Sequence, residues 1–201
     1  MGFQTITDST DNLDGKNAEV VASVNFGRVS SDTVAPIEID SYTHSQSTIE
    51  EEHHQIHEGN HFFIASYETL GDGDVADFVV ETPDSSTEVH MVFMVEGTDT
   101  VSIEVYEDVD AAADGAVQTP YNSNRNSSNT SVATIRKNPT VNDAGTLLLK
   151  QKTGARNKIG ITSRVNELVL KKNTKYLYRI TSHIASNIVT YIGEWYECES
   201  N

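Results

Sequence analysis

From Phe62 onward the chain is cut into short runs in which apolar and polar residues alternate, separated by turn-forming clusters. The runs are HFFIASY, VADFVVE, EVHMVFMVE, TVSIEVYE, SVATIRK, TLLLKQK, NELVL, KYLYRITS and NIVTYIGEWYE. Between them stand GDGD, TPDSS, EGTD, NSNRNSSN, NPTVNDAG, KTGARN and KKN, rich in the residues that turns demand. In SIEVYE, Ile103 and Val105 flank Glu104. In KYLYRITS, Tyr176, Tyr178 and Ile180 share one face, while Lys175, Leu177 and Arg179 share the other. A period of two over such short runs predicts half-buried strands. Their number and the hairpin-length links predict an all-β fold, an antiparallel β-sandwich of jelly-roll type from about Phe62 to Glu197. No fixed-period repeat points to a propeller or a β-helix.

Upstream of Phe62 the pattern differs. Ser47 to Gly59 predicts one short helix, with Ser47 or Thr48 as N-cap, acids in the first turn and Gly59 as the stop. Residues 1 to 16 are rich in Asp, Thr, Asn and Gly and carry no apolar period. AEVVASVNF and PIEID follow as short extended segments, with Pro36 at an edge or a strand start. The expected organisation is an extended N-terminal arm over residues 1–43 and a sandwich domain over residues 44–201, the arm being suited to docking on a neighbour.

Composition narrows the class. At 201 residues with 37% hydrophobic and 22% charged positions, the chain can bury one substantial core. Cys198 is its only cysteine, so no intramolecular disulfide is expected. MGFQTITDSTDNLDG lacks a basic region followed by an apolar one, and no apolar run approaches the roughly 20 residues of a membrane span, so neither a secretory signal nor a membrane partner is expected. A net charge of −16 argues against nucleic acid as partner. The charge is also divided: residues 1–110 hold 24 Asp and Glu against only Lys16 and Arg28, whereas residues 111–201 hold 12 Lys and Arg against 6 acids. Such a bipolar chain is expected to set the acidic part of one copy against the basic Arg136 to Arg179 region of another, or against a basic patch on a larger assembly.

One segment has the letters of a catalytic motif: His57-Glu58-Gly59-Asn60-His61 reads H-E-x-x-H. In a zinc protease both histidines project from one helical face and the glutamate activates a metal-bound water. Gly59 and Asn60 are poor helix formers and run into the β-prone Phe62-Phe63-Ile64, so the second histidine is expected outside any helix. Glu81 and Glu88 are third-ligand candidates, on expected strands or turns. His53, His57 and His61 also recur every fourth residue and are candidates for a structural metal shared between subunits, although histidines packed at a helix-to-strand junction are the simpler expectation. Gly71-Asp72-Gly73-Asp74 with Asp77 could offer oxygens to calcium, but it lacks the ligand ladder of an EF-hand and reads as a tight turn. No nucleophile motif, phosphate loop or dinucleotide fingerprint is present, and the chain is expected to have no catalytic residues and no cofactor.

The succession HHQIHEGNHFFIASY, DFVVETPDSSTEVHMVFMVE, NSNRNS, GARNKIG, NELVLKKNTKYLYRITS and EWYE, over about residues 44 to 197, resembles a family of small virion proteins of tailed bacteriophages. The resemblance implies a non-enzymatic β-sandwich made in the host cytoplasm and placed on the phage head as a capsid decoration, or cement, protein. Its implied partners are the major capsid protein and copies of itself, as a homotrimer. A head-fibre or tail module that binds host glycans is the alternative, with Trp195 and Tyr196 as candidate stacking residues.

Overall fold

The computed structural model describes residues 26–28, 34–36 and 50–199, and the chain divides into two units, Met1–Ile49 and Glu50–Asn201. In the first unit β1 (Phe26–Arg28) and β2 (Val34–Pro36) form an antiparallel ribbon, with Phe26 opposite Pro36 and Arg28 opposite Val34. Of the two expected extended segments, only Phe26 and Pro36 fall in these strands; the rest of the expected arm lies outside the described residues.

The second unit opens with α1 (Glu51–Glu58), then β3 (His61–Leu70), β4 (Val75–Glu81), β5 (Thr87–Gly97) and β6 (Val101–Glu107). A long excursion carries β7 (Asp110–Ala111), β8 (Ala116–Gln118), β9 (Tyr121–Asn122), β10 (Thr134–Lys137) and β11 (Val141–Asp143). The chain returns through β12 (Thr146–Thr153), β13 (Lys158–Ile161), the 3₁₀ turn η1 (Arg164–Asn166), β14 (Leu168–Leu170), β15 (Lys175–Ser182) and β16 (Asn187–Glu199).

Two large antiparallel sheets result, in the orders β13-β5-β16-β3-β9 and β12-β6-β15-β4-β10-β8, with β14 also paired to β5, and β7 and β11 form a separate two-stranded ribbon. Consecutive strands β3, β4, β5 and β6 alternate between the sheets, and the return path retraces them: β12 on β6, β13 and β14 on β5, β15 on β4 and β16 on β3. This doubled-back winding is the jelly roll, as the strand pattern predicts.

Alternation explains the core. Val101, Ile103 and Val105 of β6, Ala76, Phe78 and Val80 of β4, Val89, Met91, Phe93 and Val95 of β5, and Tyr176, Tyr178 and Ile180 of β15 are all buried in one cluster. Phe78 lies 4.5 Å from Tyr191 between ring centroids, and Phe93 stacks on Tyr178 at 4.7 Å. The opposite face of β4 and β15 is not open to water either. Val79 and Leu177 bury with Val109 and Ala111 in a second cluster, against which Tyr106, Val141 and Ala144 pack. The excursion between β6 and β12 thus covers the outer face of its sheet, which is why Leu177 sits buried in the row that reads as polar.

The helix is shorter than its sequence suggests. It begins after Glu50, whose carbonyl accepts the first helical bond from His54 N–H, and no side chain caps it; Ser47 and Thr48 lie outside the described residues. Its end agrees with expectation. Gly59 is left-handed at φ 77°, and a Cβ there would stand 2.3 Å from Ser127 Oγ, so both backbone and space demand glycine.

Candidate functional site

Helix α1, β3, β5, η1 and β16 meet at one corner, where Glu52, His61, His90, Arg164, Glu167 and Cys198 collect. The capping of α1 sets its geometry. The asparagine-rich turn before β10 supplies the donors that the last helical carbonyls lack. Asn124 Nδ2 donates to the His57 carbonyl at 3.0 Å, and Asn122 Nδ2 to that of Gly59 at 2.7 Å.

The chain leaves this cap directly into β3, so the two histidines of H-E-x-x-H part company. His57 stays on the exposed helix, where its Nε2 lies 3.0 Å from His53 Nε2. His61 enters the sheet and is buried. There its Nδ1–H donates to Ser123 Oγ at 2.7 Å, and its Nε2 accepts from Arg164 Nη2 at 2.9 Å. Burial, reinforced by the Arg164 charge and opposed by Glu52, pulls the imidazole below the usual histidine range, so it is neutral and both ring nitrogens are committed. The candidate trio His53, His57 and His61 therefore does not converge on one point: the first two pair on the helix, and the third is a structural link to Arg164.

Arg164 is the hub of the corner. Its Nε is 3.1 Å from Glu52 of α1, Nη1 is 3.2 Å from Glu167 and donates to the His90 carbonyl at 3.1 Å, and its guanidinium lies 5.3 Å over the Tyr196 ring. One planar fork thus ties α1, β3, β5 and β16 together. Glu167 in turn accepts from His90 Nδ1 at 2.8 Å and from the Tyr196 hydroxyl at 3.0 Å. Burial would raise the Glu167 carboxyl, but hydrogen bonds from His90, Arg164 and Tyr196 outweigh it and hold the group low. His90 and Tyr196 stack at 4.4 Å between centroids. Sequence reading missed Arg164, Glu167 and His90, because they converge from distant strands with no local motif to betray them.

Next to this network on the same sheet face, β5 and β16 place Glu88 opposite Cys198 and His90 opposite Tyr196. Glu88, His90 and Cys198 are the only three His, Cys, Asp or Glu groups among the described residues whose ligand atoms all lie within 4.8 Å of one another. A surface groove of about 690 Å³ reaches Cys198, lined by Asn60, Phe62, Asn129 and Glu197 among others. Glu81, the other third-ligand candidate, ends β4 in the opposite sheet.

The remaining candidates resolve simply. Asp74 Oδ2 accepts from Gly71 N–H at 2.7 Å in a tight turn, and Asp77 is held by Arg179 at 2.8 and 2.7 Å, so these carboxylates have protein partners. Trp195 is fully buried and donates to Glu197 Oε1 at 3.0 Å, while Tyr196 is buried beside Glu167. Neither ring of the proposed glycan platform is presented to solvent, because odd residues of β16 face the core and the even face is covered at this end by α1 and Arg164.

Some acids of the first half pair with bases of the second inside the domain. Glu68 pairs with Lys137 at 2.9 Å, Glu107 with Lys171 at 2.6 Å, Asp77 with Arg179 at 2.7 Å, Glu104 with Lys150 at 2.5 Å, and Glu52 with Arg164. Folding therefore brings these acids of the first half onto bases of the second within one copy. The β12–β13 hairpin presents a basic edge to solvent, with Lys152, Arg156 and Lys158 exposed beside the paired Lys150.

No protein-family model matches the chain, and no curated protein matches it.

Proposed function

We propose that this chain is a structural protein of a tailed-bacteriophage particle, a capsid decoration protein that binds the major capsid protein on the head surface as a homotrimer. The observation that carries the reading is the winding itself. A jelly-roll sandwich recurs among shell-forming proteins, and this support is fold-level analogy. It joins the residue-level resemblance over about residues 44 to 197. A further support is the outer strand β12, where Leu147 and Leu148 remain half-exposed beside the basic Lys150 and Lys152 on an unpaired sheet edge. An edge of this kind suits addition of a partner strand, with an acidic partner surface as the electrostatic complement. A protein that binds only the assembled shell stabilises it by mass action.

The test is to mix the purified full chain with undecorated heads. Saturable binding at hundreds of sites, with a raised temperature of head disruption and weaker binding at high salt, is expected. Leu148→Asp should lower occupancy without unfolding the chain. Heads that neither bind the protein nor gain stability would refute the proposal.

A further inference from the structure

We propose that Glu88, His90 and Cys198 form a metal-binding site for zinc or a similar thiophilic divalent cation, clasping the end of β16 to β5. The inference is independent of any role in a particle. Its starting point is an imbalance at His90. Both Glu167 oxygens already accept, Oε1 from the Tyr196 hydroxyl and Oε2 from Arg164, so in the 2.8 Å bond His90 Nδ1 is the donor, which leaves Nε2 as the other ring position. Nε2 is buried and has no hydrogen-bond partner. It faces Glu88 Oε2 at 3.7 Å, too long for a hydrogen bond, together with the Cys198 sulfur. A buried imidazole nitrogen set between a carboxylate and a thiol, with nothing to bond to, is costly unless a cation joins them.

The arrangement has the parts of a metal site. A carboxylate behind a histidine, donating no proton itself but fixing the ring's tautomer and orientation, is the usual outer support of a metal-bound imidazole, and Glu167 stands in that place. Tyr196 stacking on the ring and Arg164 on Glu167 hold the support rigid. Tetrahedral zinc at about 2.0–2.3 Å from N, O and S donors sets those atoms about 3.3–3.6 Å apart, so the observed spacing within 4.8 Å needs only rotamer adjustment. Thiolate and imidazole together select zinc-like cations over calcium or magnesium. The fourth position is left to a further ligand, Cys198 being only partly buried.

The full chain, prepared without an affinity tag and stripped with a chelator, is titrated with Zn²⁺ alone and with Co²⁺ alone. One equivalent of either should bind, and Co²⁺ should show a thiolate-to-metal charge-transfer band with the strong visible bands of tetrahedral geometry. Cys198→Ser should remove the charge-transfer band, His90→Ala should abolish tight binding, and Glu167→Gln should weaken it about 10- to 100-fold. The double variant His53→Ala, His57→Ala should bind as the parent does. Cys198→Ser preserves size and serves if His90→Ala does not fold. Absence of binding by the intact chain, survival of the charge-transfer band in Cys198→Ser, or loss of binding in the His53, His57 double variant would each overturn the proposal.

Discussion

His61 and His90 lie on strands of the same sheet, each held by the Arg164 network, yet they end in opposite chemical conditions. His61 belongs to the one catalytic-looking motif of the chain, and folding consumes both its nitrogens, one on Ser123 and one on Arg164. His90 belongs to no motif, and folding satisfies only Nδ1 while burying Nε2 without a partner. The difference shows that which ring nitrogen is left without a partner is decided by tertiary structure and does not follow motif spacing. Helical spacing has meaning only while the helix continues, and Gly59 ends it.

The comparison can be broken most strongly at its shared hub. Arg164→Ala leaves Glu52 without its guanidinium and His61 Nε2 buried without a donor, and should destabilise the domain by about 2–3 kcal/mol, the side chain being partly exposed. Urea unfolding measures this. Removing the motif histidine alone is milder: His61→Gln should lower stability by about 1–2 kcal/mol while leaving Zn²⁺ binding intact. A loss of metal with His61→Gln would erase the distinction between the two histidines.

A pH titration sharpens the same point. The folded chain holds His61 below the ordinary histidine value, chiefly through burial, so the unfolded chain takes up that proton first. Stability from neutral His61 is complete above the ordinary histidine value and is lost as pH falls through its lowered folded value. Unfolding free energy measured between pH 7 and the onset of carboxylate titration should therefore decline, and His61→Gln should flatten the decline. The smallest effect is expected at the motif's glutamate. Glu58 is exposed and faces only His54 at 3.9 Å, so Glu58→Gln should change stability by less than about 0.5 kcal/mol.

Much of the fold is legible because its main strands alternate cleanly. KYLYRITS is β15 from end to end, and VADFVVE is β4. The missed strands have physical reasons. β7, β8, β9 and β11 are too short to show a period, and β13 contains Gly160 at φ 101°, so its segment adjoins what reads as a turn. The candidate site was hardly legible at all. Glu88 entered only as a possible third ligand for the helix histidines, and its neighbours in the fold are set by cross-strand register, with Cys198 opposite it on β16. Register over such separations depends on the whole sheet, and no window of sequence contains it. The charge division was legible as composition, but not which acids of the first half pair with bases of the second inside the fold, as Glu68 does with Lys137 and Asp77 with Arg179.

The position of β16 has a consequence for how the protein is made. This strand is inserted between β3 and β5, pairing His61 with Tyr196 and Val89 with Glu197, so neither neighbour can complete its hydrogen bonding until residues 187–199 arrive. Contacts this distant in sequence close slowly. During synthesis β3 and β5 emerge long before their shared partner, and their apolar faces must wait with open edges, the condition in which chains mispair with one another. Ribosome-bound chains stalled before residue 187 should be readily digested by protease, and release of the final strand should convert them to the resistant fold in a single late step.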